Sequence, residues 1–188
     1  TLAWIGGIAI LGTLAVLAAF YIVRGRIPIE GGLSGRTIGR FRWFERFVHW
    51  LTASCFVILA LSGLNVAFGK SLLLPLIGPR AFSSFSMAAK YAHNFLSFPF
   101  TLGLVLMFFI WALRNIPGRV DIAWFMQGGG IVGNTHPPAG KFNGGQKVLF
   151  WLVILVGGAI AASGYILLFP FYGTTIAQMQ TAQVIHGL

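Results

Sequence analysis

Residues 40–63 read RFRWFERFVHWLTASCFVILALSG. Three arginines and a glutamate among aromatic rings give way, from Phe47 to Phe68, to a run without a Lys, Arg, Asp or Glu. A helix needs about 20 such residues to cross the hydrocarbon core of a bilayer. One side chain breaks the apolar pattern: His49, just inside the run. An ionisable group at membrane depth is costly, turns toward the protein interior, and marks a functional site by default.

Working outward, the pattern recurs twice. His93 lies in AAKYAHNFLSFPFTLGLVLMFFIW and His186 in TAQVIHGL, each just inside another apolar stretch. Imidazole is the commonest metal ligand and a frequent axial ligand of haem iron. A single intramembrane histidine often serves only as a hydrogen bond between helices. Three of them at two membrane depths argue for ligands. His136, in NTHPP, reads as a solvated loop residue.

Composition sets the class. Of 188 residues 57% are hydrophobic, and the acidic residues are only Glu30, Glu45 and Asp121. A soluble domain with so few charges has no adequate surface to offer water, so the fold class is an all-α integral membrane protein. The net charge of +10 is no sign of nucleic-acid binding, because the basic residues lie between the spans rather than on one face of a domain. Cys55 is the only cysteine, which excludes an intrachain disulfide, a CxxC redox motif and a cysteine-ligated cluster within the chain.

Five apolar segments are predicted: about Leu2 to Val23, Phe47 to Phe68, Tyr91 to Leu113 and Val148 to Phe169, and a fifth from about Ala177. The first lacks the basic n-region and cleavage site of a secretion signal and reads as a true helix. The fifth stops short of a span, so its helix is expected to continue past Leu188. The bundle is thus four full spans plus the start of a fifth. Ten of the thirteen Lys and Arg residues fall in the loops after the first and third spans (Arg24, Arg26, Arg36, Arg40, Arg42 and Arg46; Arg114, Arg119, Lys141 and Lys147). Only Lys70, Arg80 and Lys90 follow the second. Positive loops stay inside, which puts the N-terminus outside. The long loop 114–147 holds DIAWFMQGGG, read as a short interfacial segment with Trp124 and Phe125 at the headgroups, and then turn-rich GNTHPPAGKFNGGQK.

On this topology His93 and His186 share the outer depth and can clamp one haem iron between two helices. His49 sits at the opposite depth without a partner. About 14 residues beyond His186 a helix advances roughly 21 Å on nearly the same face, so the partner of His49 is expected there, giving two stacked haems. Gly63 in ALSG and Gly164 in ASGYI either admit a porphyrin face or serve ordinary helix packing.

RFVHW at 46–50, ALSG at 60–63, AHNF at 92–95, NIPGRVDIAW at 115–124, KFNGGQK at 141–147 and VIHG at 184–187 together resemble the gamma subunit of respiratory formate dehydrogenases, a cytochrome b. The resemblance covers about Arg42 to Leu188, leaving 1–41 as an additional N-terminal helix and basic loop ahead of a four-helix cytochrome core, 42–188. It implies two b-type haems, the outer held by His93 and His186, the inner by His49 and a histidine after Leu188. It further implies a quinone, menaquinone or ubiquinone, beside the inner haem, with Asn143, Gly145 and Gln146 as contacts. An amide can hydrogen-bond a quinone carbonyl; equally, NGG can be a turn ahead of the next helix. Arg46 is either a partner of a haem propionate or one more topology charge.

The partners implied are an iron–sulfur subunit and a molybdenum- or tungsten-containing subunit that oxidises formate, in a bacterial inner membrane. In that resemblance electrons pass from the outer to the inner haem and on to quinone, which takes its protons from the cytoplasmic side. The alternatives are a related di-haem cytochrome of a hydrogenase, thiosulfate reductase or nitrate reductase, a haem-free membrane anchor, and a proton-relaying transporter. The last lacks the mid-span carboxylates such proteins use.

Overall fold

The computed structural model describes residues 2–25, 35–131 and 137–187; Glu30 and His136 lie outside them. The described residues hold no strand and include six α-helices: α1 Leu2–Arg24, α2 Trp43–Leu72, α3 Leu74–Trp111, α4 Arg119–Met126, α5 Gly144–Leu168 and α6 Ile176–His186. Four of these (α1, α2, α3 and α5) are long and apolar enough to cross a membrane.

The helix starts follow from local chemistry. Thr175 and Gln178 form a reciprocal box ahead of α6: the Thr175 amide donates to Gln178 Oε1 at 2.8 Å and the Gln178 amide to Thr175 Oγ1 at 3.3 Å. Each bond satisfies an orphan donor of the first turn. At α4 the Gly118 amide donates to Asp121 Oδ2 at 2.7 Å, and at α2 the Arg42 amide donates to Glu45 Oε2 at 2.7 Å.

Helix α3 corrects the sequence reading. A loop was expected up to Tyr91, whereas the helix begins at Leu74. Its 38 residues would make a rod of about 57 Å, so the part before Tyr91 extends past the apolar span. The polar residues there masked its helicity from a reading based on hydropathy. Gly78, at φ 78° and ψ 166°, breaks the first turn from the rest; a side chain would not tolerate that backbone. Pro79 follows at once, in the first-turn position where its missing N–H is harmless.

The core lies between α2, α3 and α5: Cys55, Phe100 and Leu104 are buried, with Leu51, Leu59, Leu96, Val153 and Ile154 against them. Small residues bring these helices close. A Cβ at Gly103 would collide with Thr52 Oγ1, and one at Gly157 would lie 3.3 Å from Leu104. Close backbone approach is the usual device for helix association in lipid, where no hydrophobic drive between helices exists. Pro99 interrupts the hydrogen-bond ladder of α3. Beyond it, hydroxyls tie α3 to α5: Tyr165 of α5 donates to Thr101 Oγ1 at 3.0 Å, and Thr101 to the Ser97 carbonyl at 2.8 Å. Helix α1 meets the bundle through Trp4, whose ring centroid is 5.4 Å from that of Phe68 near the end of α2.

Candidate metal centre

Helix α3 carries His93 and α6 carries His186, residues 93 positions apart that the fold brings together. Their ring centroids are 5.9 Å apart with planes at 84°. Each ring is fixed through Nδ1. The Ser62 hydroxyl of α2 lies 2.8 Å from His93 Nδ1 and bonds the carbonyls of Ile58 at 2.7 Å and Leu59 at 3.0 Å. A hydroxyl has one proton. With that proton on the backbone, its oxygen faces the imidazole as an acceptor, so His93 Nδ1 is the donor.

The α5–α6 pair repeats the arrangement. His186 Nδ1 is 2.9 Å from the Ile160 carbonyl, which can only accept, and 3.4 Å from Ser163 Oγ. Ser163 also donates to Ile160 O at 2.9 Å. Both imidazoles therefore carry their proton on Nδ1 and keep the Nε2 lone pair, the form that binds a metal. Neither Nε2 has a hydrogen-bond partner among the described residues.

Each serine precedes a glycine. A Cβ at Gly164 would come within 2.8 Å of His186 Cε1, so this glycine provides clearance for the ring itself. A Cβ at Gly63 would sit 3.5 Å from His93 Cε1, an ordinary contact. The sequence marked both glycines but neither serine, because a serine in a membrane helix is unremarkable singly. The signal was the repeat: Ser-Gly, on the helix preceding a histidine-bearing helix, twice.

His49 lies elsewhere. It is on α2, 13 residues before Ser62, hence about 20 Å away along the helix. It is exposed, and Trp50, at 5.4 Å between centroids, is its ring neighbour. Arg46, one turn before it, is exposed as well.

Asn143, Gly145 and Gln146 stand at the start of α5. The Gln146 amide donates to Asn143 Oδ1 at 2.8 Å and the Asn143 amide to Gln146 Oε1 at 3.1 Å, a capping box. Glycine is needed beside it because Trp124 and Phe125 of α4 pack there: Cβ atoms at Gly144 and Gly145 would approach them to 2.7 Å and 3.1 Å. The two side-chain NH2 groups have no partner among the described residues.

Around this end the two described acids organise the connections. Glu45 Oε1 accepts from Trp111 Nε1 and from Lys141 Nζ, both at 2.9 Å, joining α2, the end of α3 and the loop before α5. Asp121 pairs with Lys147 at 2.7 Å, tying α4 to α5. The Lys147 ammonium, and next the Gly118 amide, hold the Asp121 carboxyl below the usual aspartate range.

No group of three or more His, Cys, Asp and Glu able to hold a metal occurs among the described residues. Residues 40–188 match the family model of prokaryotic cytochrome b561. The chain belongs to that family. Among its relatives are the cytochrome b556(fdo) subunit of formate dehydrogenase from Escherichia coli K12, 30% identical over 80% of this chain and 71% of the relative. The nitrate-inducible cytochrome b556(Fdn) subunit of the same strain is 29% identical over 80% and 67%, and the Haemophilus influenzae cytochrome b556 subunit 26% over 79% and 62%.

This cytochrome is a multi-pass membrane protein, and its family implies b-type haem. The donor set fits that group. Two imidazoles whose ring centroids lie 5.9 Å apart, each with its Nδ1 engaged, would hold such a group through Nε2.

Proposed function

We propose that this cytochrome is the membrane subunit of a formate dehydrogenase complex. It takes electrons from an iron–sulfur partner, whose own partner oxidises formate at molybdenum or tungsten, and delivers them to a membrane quinone. The observation that carries this reading is the His93–His186 pair: two imidazoles in the same tautomer, with ring centroids 5.9 Å apart, in a chain whose relatives include formate dehydrogenase cytochromes.

A b-type haem supplies one-electron chemistry when bound. His93 and His186 would hold one such group. His49 would hold a second, about 20 Å deeper along α2. Their surroundings differ in ways suited to the two ends of a conductor. The outer pair is clasped by helix backbone and buried serines, whereas His49 is exposed near the basic end of the bundle. Arg46 is one turn away and suited to a propionate.

The quinone would lie near the start of α5. Asn143 and Gln146 are occupied as caps through their oxygens, which turns their NH2 groups into preset donors for a carbonyl. Gly145 keeps Trp124 close beside them. With the basic loops in the cytoplasm of a bacterial inner membrane, this end takes protons from inside while formate is oxidised outside.

The test uses membranes carrying the assembled complex. Formate is expected to reduce a b-type absorption band and to drive quinone reduction. His93→Ala should abolish quinone reduction while formate oxidation by a soluble dye continues. Quinone reduction that survives His93→Ala would overturn the proposal.

A further inference from the structure

The two Ser-Gly steps do not follow from the ligands alone, and they are unequal. Ser62 is 5% exposed and Ser163 is 4% exposed, so neither hydroxyl competes with bulk water. At His93 the Ser62 oxygen, at 2.8 Å, is the nearest hydrogen-bond partner of Nδ1, with the Leu59 carbonyl a second acceptor in reach. At His186 the backbone carbonyl of Ile160, at 2.9 Å, takes that place, and Ser163 stands back at 3.4 Å. A carbonyl on the helix cannot be removed by substituting a side chain; a serine can.

We propose that Ser62 is the positioning residue of the outer haem centre. Its hydroxyl, turned round by donating to Ile58 and Leu59, accepts the Nδ1 proton of His93, fixes the ring and sets how strongly Nε2 donates to iron. Ser163 is a minor partner at His186. The proposal rests on the haem reading above. A partner accepting from Nδ1–H raises the basicity of the imidazole, and loss of such a partner typically costs about 10- to 100-fold in metal affinity or activity. A more basic ligand favours ferric over ferrous iron, so losing the acceptor raises the reduction potential.

The experiment compares wild type with Ser62→Ala, Ser62→Cys, Ser62→Thr, Ser163→Ala and His93→Ala in the full complex. It measures protein level, haem content and a potentiometric titration of the b-type absorption. Ser62→Ala is expected to raise the outer-haem potential and weaken haem retention about 10- to 100-fold. Ser62→Thr keeps the hydroxyl and should match wild type. Ser62→Cys, close in size but a weak acceptor, should shift the potential in the same direction and gives a reading even if the alanine chain fails to accumulate.

Ser163→Ala should move the potential less than Ser62→Ala. Unchanged potential and haem content in both the alanine and cysteine variants would overturn the proposal. So would haem loss that Ser62→Thr does not restore, which marks a packing role only. His93→Ala separates the two levels: if it loses no haem, the haem reading itself fails, whatever the serines do.

Discussion

A glycine and a serine one position apart do different work at each histidine, and single substitutions can separate them. At Gly164 even a methyl group would reach 2.8 Å from the His186 ring, whose Nδ1 is held by the Ile160 carbonyl at 2.9 Å. Gly164→Ala is expected to displace His186 and lower the content of the outer haem severalfold. Gly63→Ala meets the His93 ring at an ordinary 3.5 Å and leaves that ring in place. A haem assay on the two variants checks the contrast; equal loss in both would mean that the porphyrin face, rather than the imidazole, demands the glycine. These details could not be read from the sequence. Ser62, Ser163 and the Ile160 carbonyl acquire meaning only once α2 lies beside α3 and α5 beside α6.

Among the elements, the connections at the basic end rest on the ion pairs of Glu45 and Asp121, whose failure should be visible in stability. Glu45 holds α2, Trp111 and Lys141 at once. Glu45→Ala should destabilise the bundle by about 3 kcal/mol in denaturant titrations in micelles, the low end for breaking a buried pair, because Lys141 is a quarter exposed. Asp121 gives a pH signature. Lys147 first, and the Gly118 amide second, lower its pKa in the folded chain. A carboxyl of that kind adds stability that is complete above the ordinary aspartate pKa of about 4 and is lost as pH falls through the lower folded value. Thermal midpoints should therefore drop less between pH 5 and pH 3 in Asp121→Asn than in wild type, taking the interval around that ordinary pKa. An identical drop would remove Asp121 from the acid response. Helix starts were legible here as N-x-x-Q and T-x-x-Q patterns only in retrospect. NGGQ had been read either as a turn or as a quinone contact, and it forms a cap whose amide donors stay open.

For the whole molecule, hydropathy told most of the architecture. Spans, their order and the interfacial segment that became α4 all follow from apolar runs of sufficient length. The early start of α3 was hidden, because Arg80 and Lys90 made a helix outside the apolar span look like a loop. The nearness of His93 to His186 agrees with the shared depth that the order of the spans gave them. The state of each ring was not, because tautomer and orientation depend on side chains from other helices.

The most direct measurement is a pyridine haemochrome count with a reduced-minus-oxidised spectrum on the purified full-length protein and on His49→Ala, His93→Ala and His186→Ala. Two b-type haems per chain are expected in the wild type, with His93→Ala and His186→Ala losing the same one and His49→Ala the other. A well-folded wild type without haem, or His93→Ala and His186→Ala losing different haems, would contradict the pairing on which the proposed function stands.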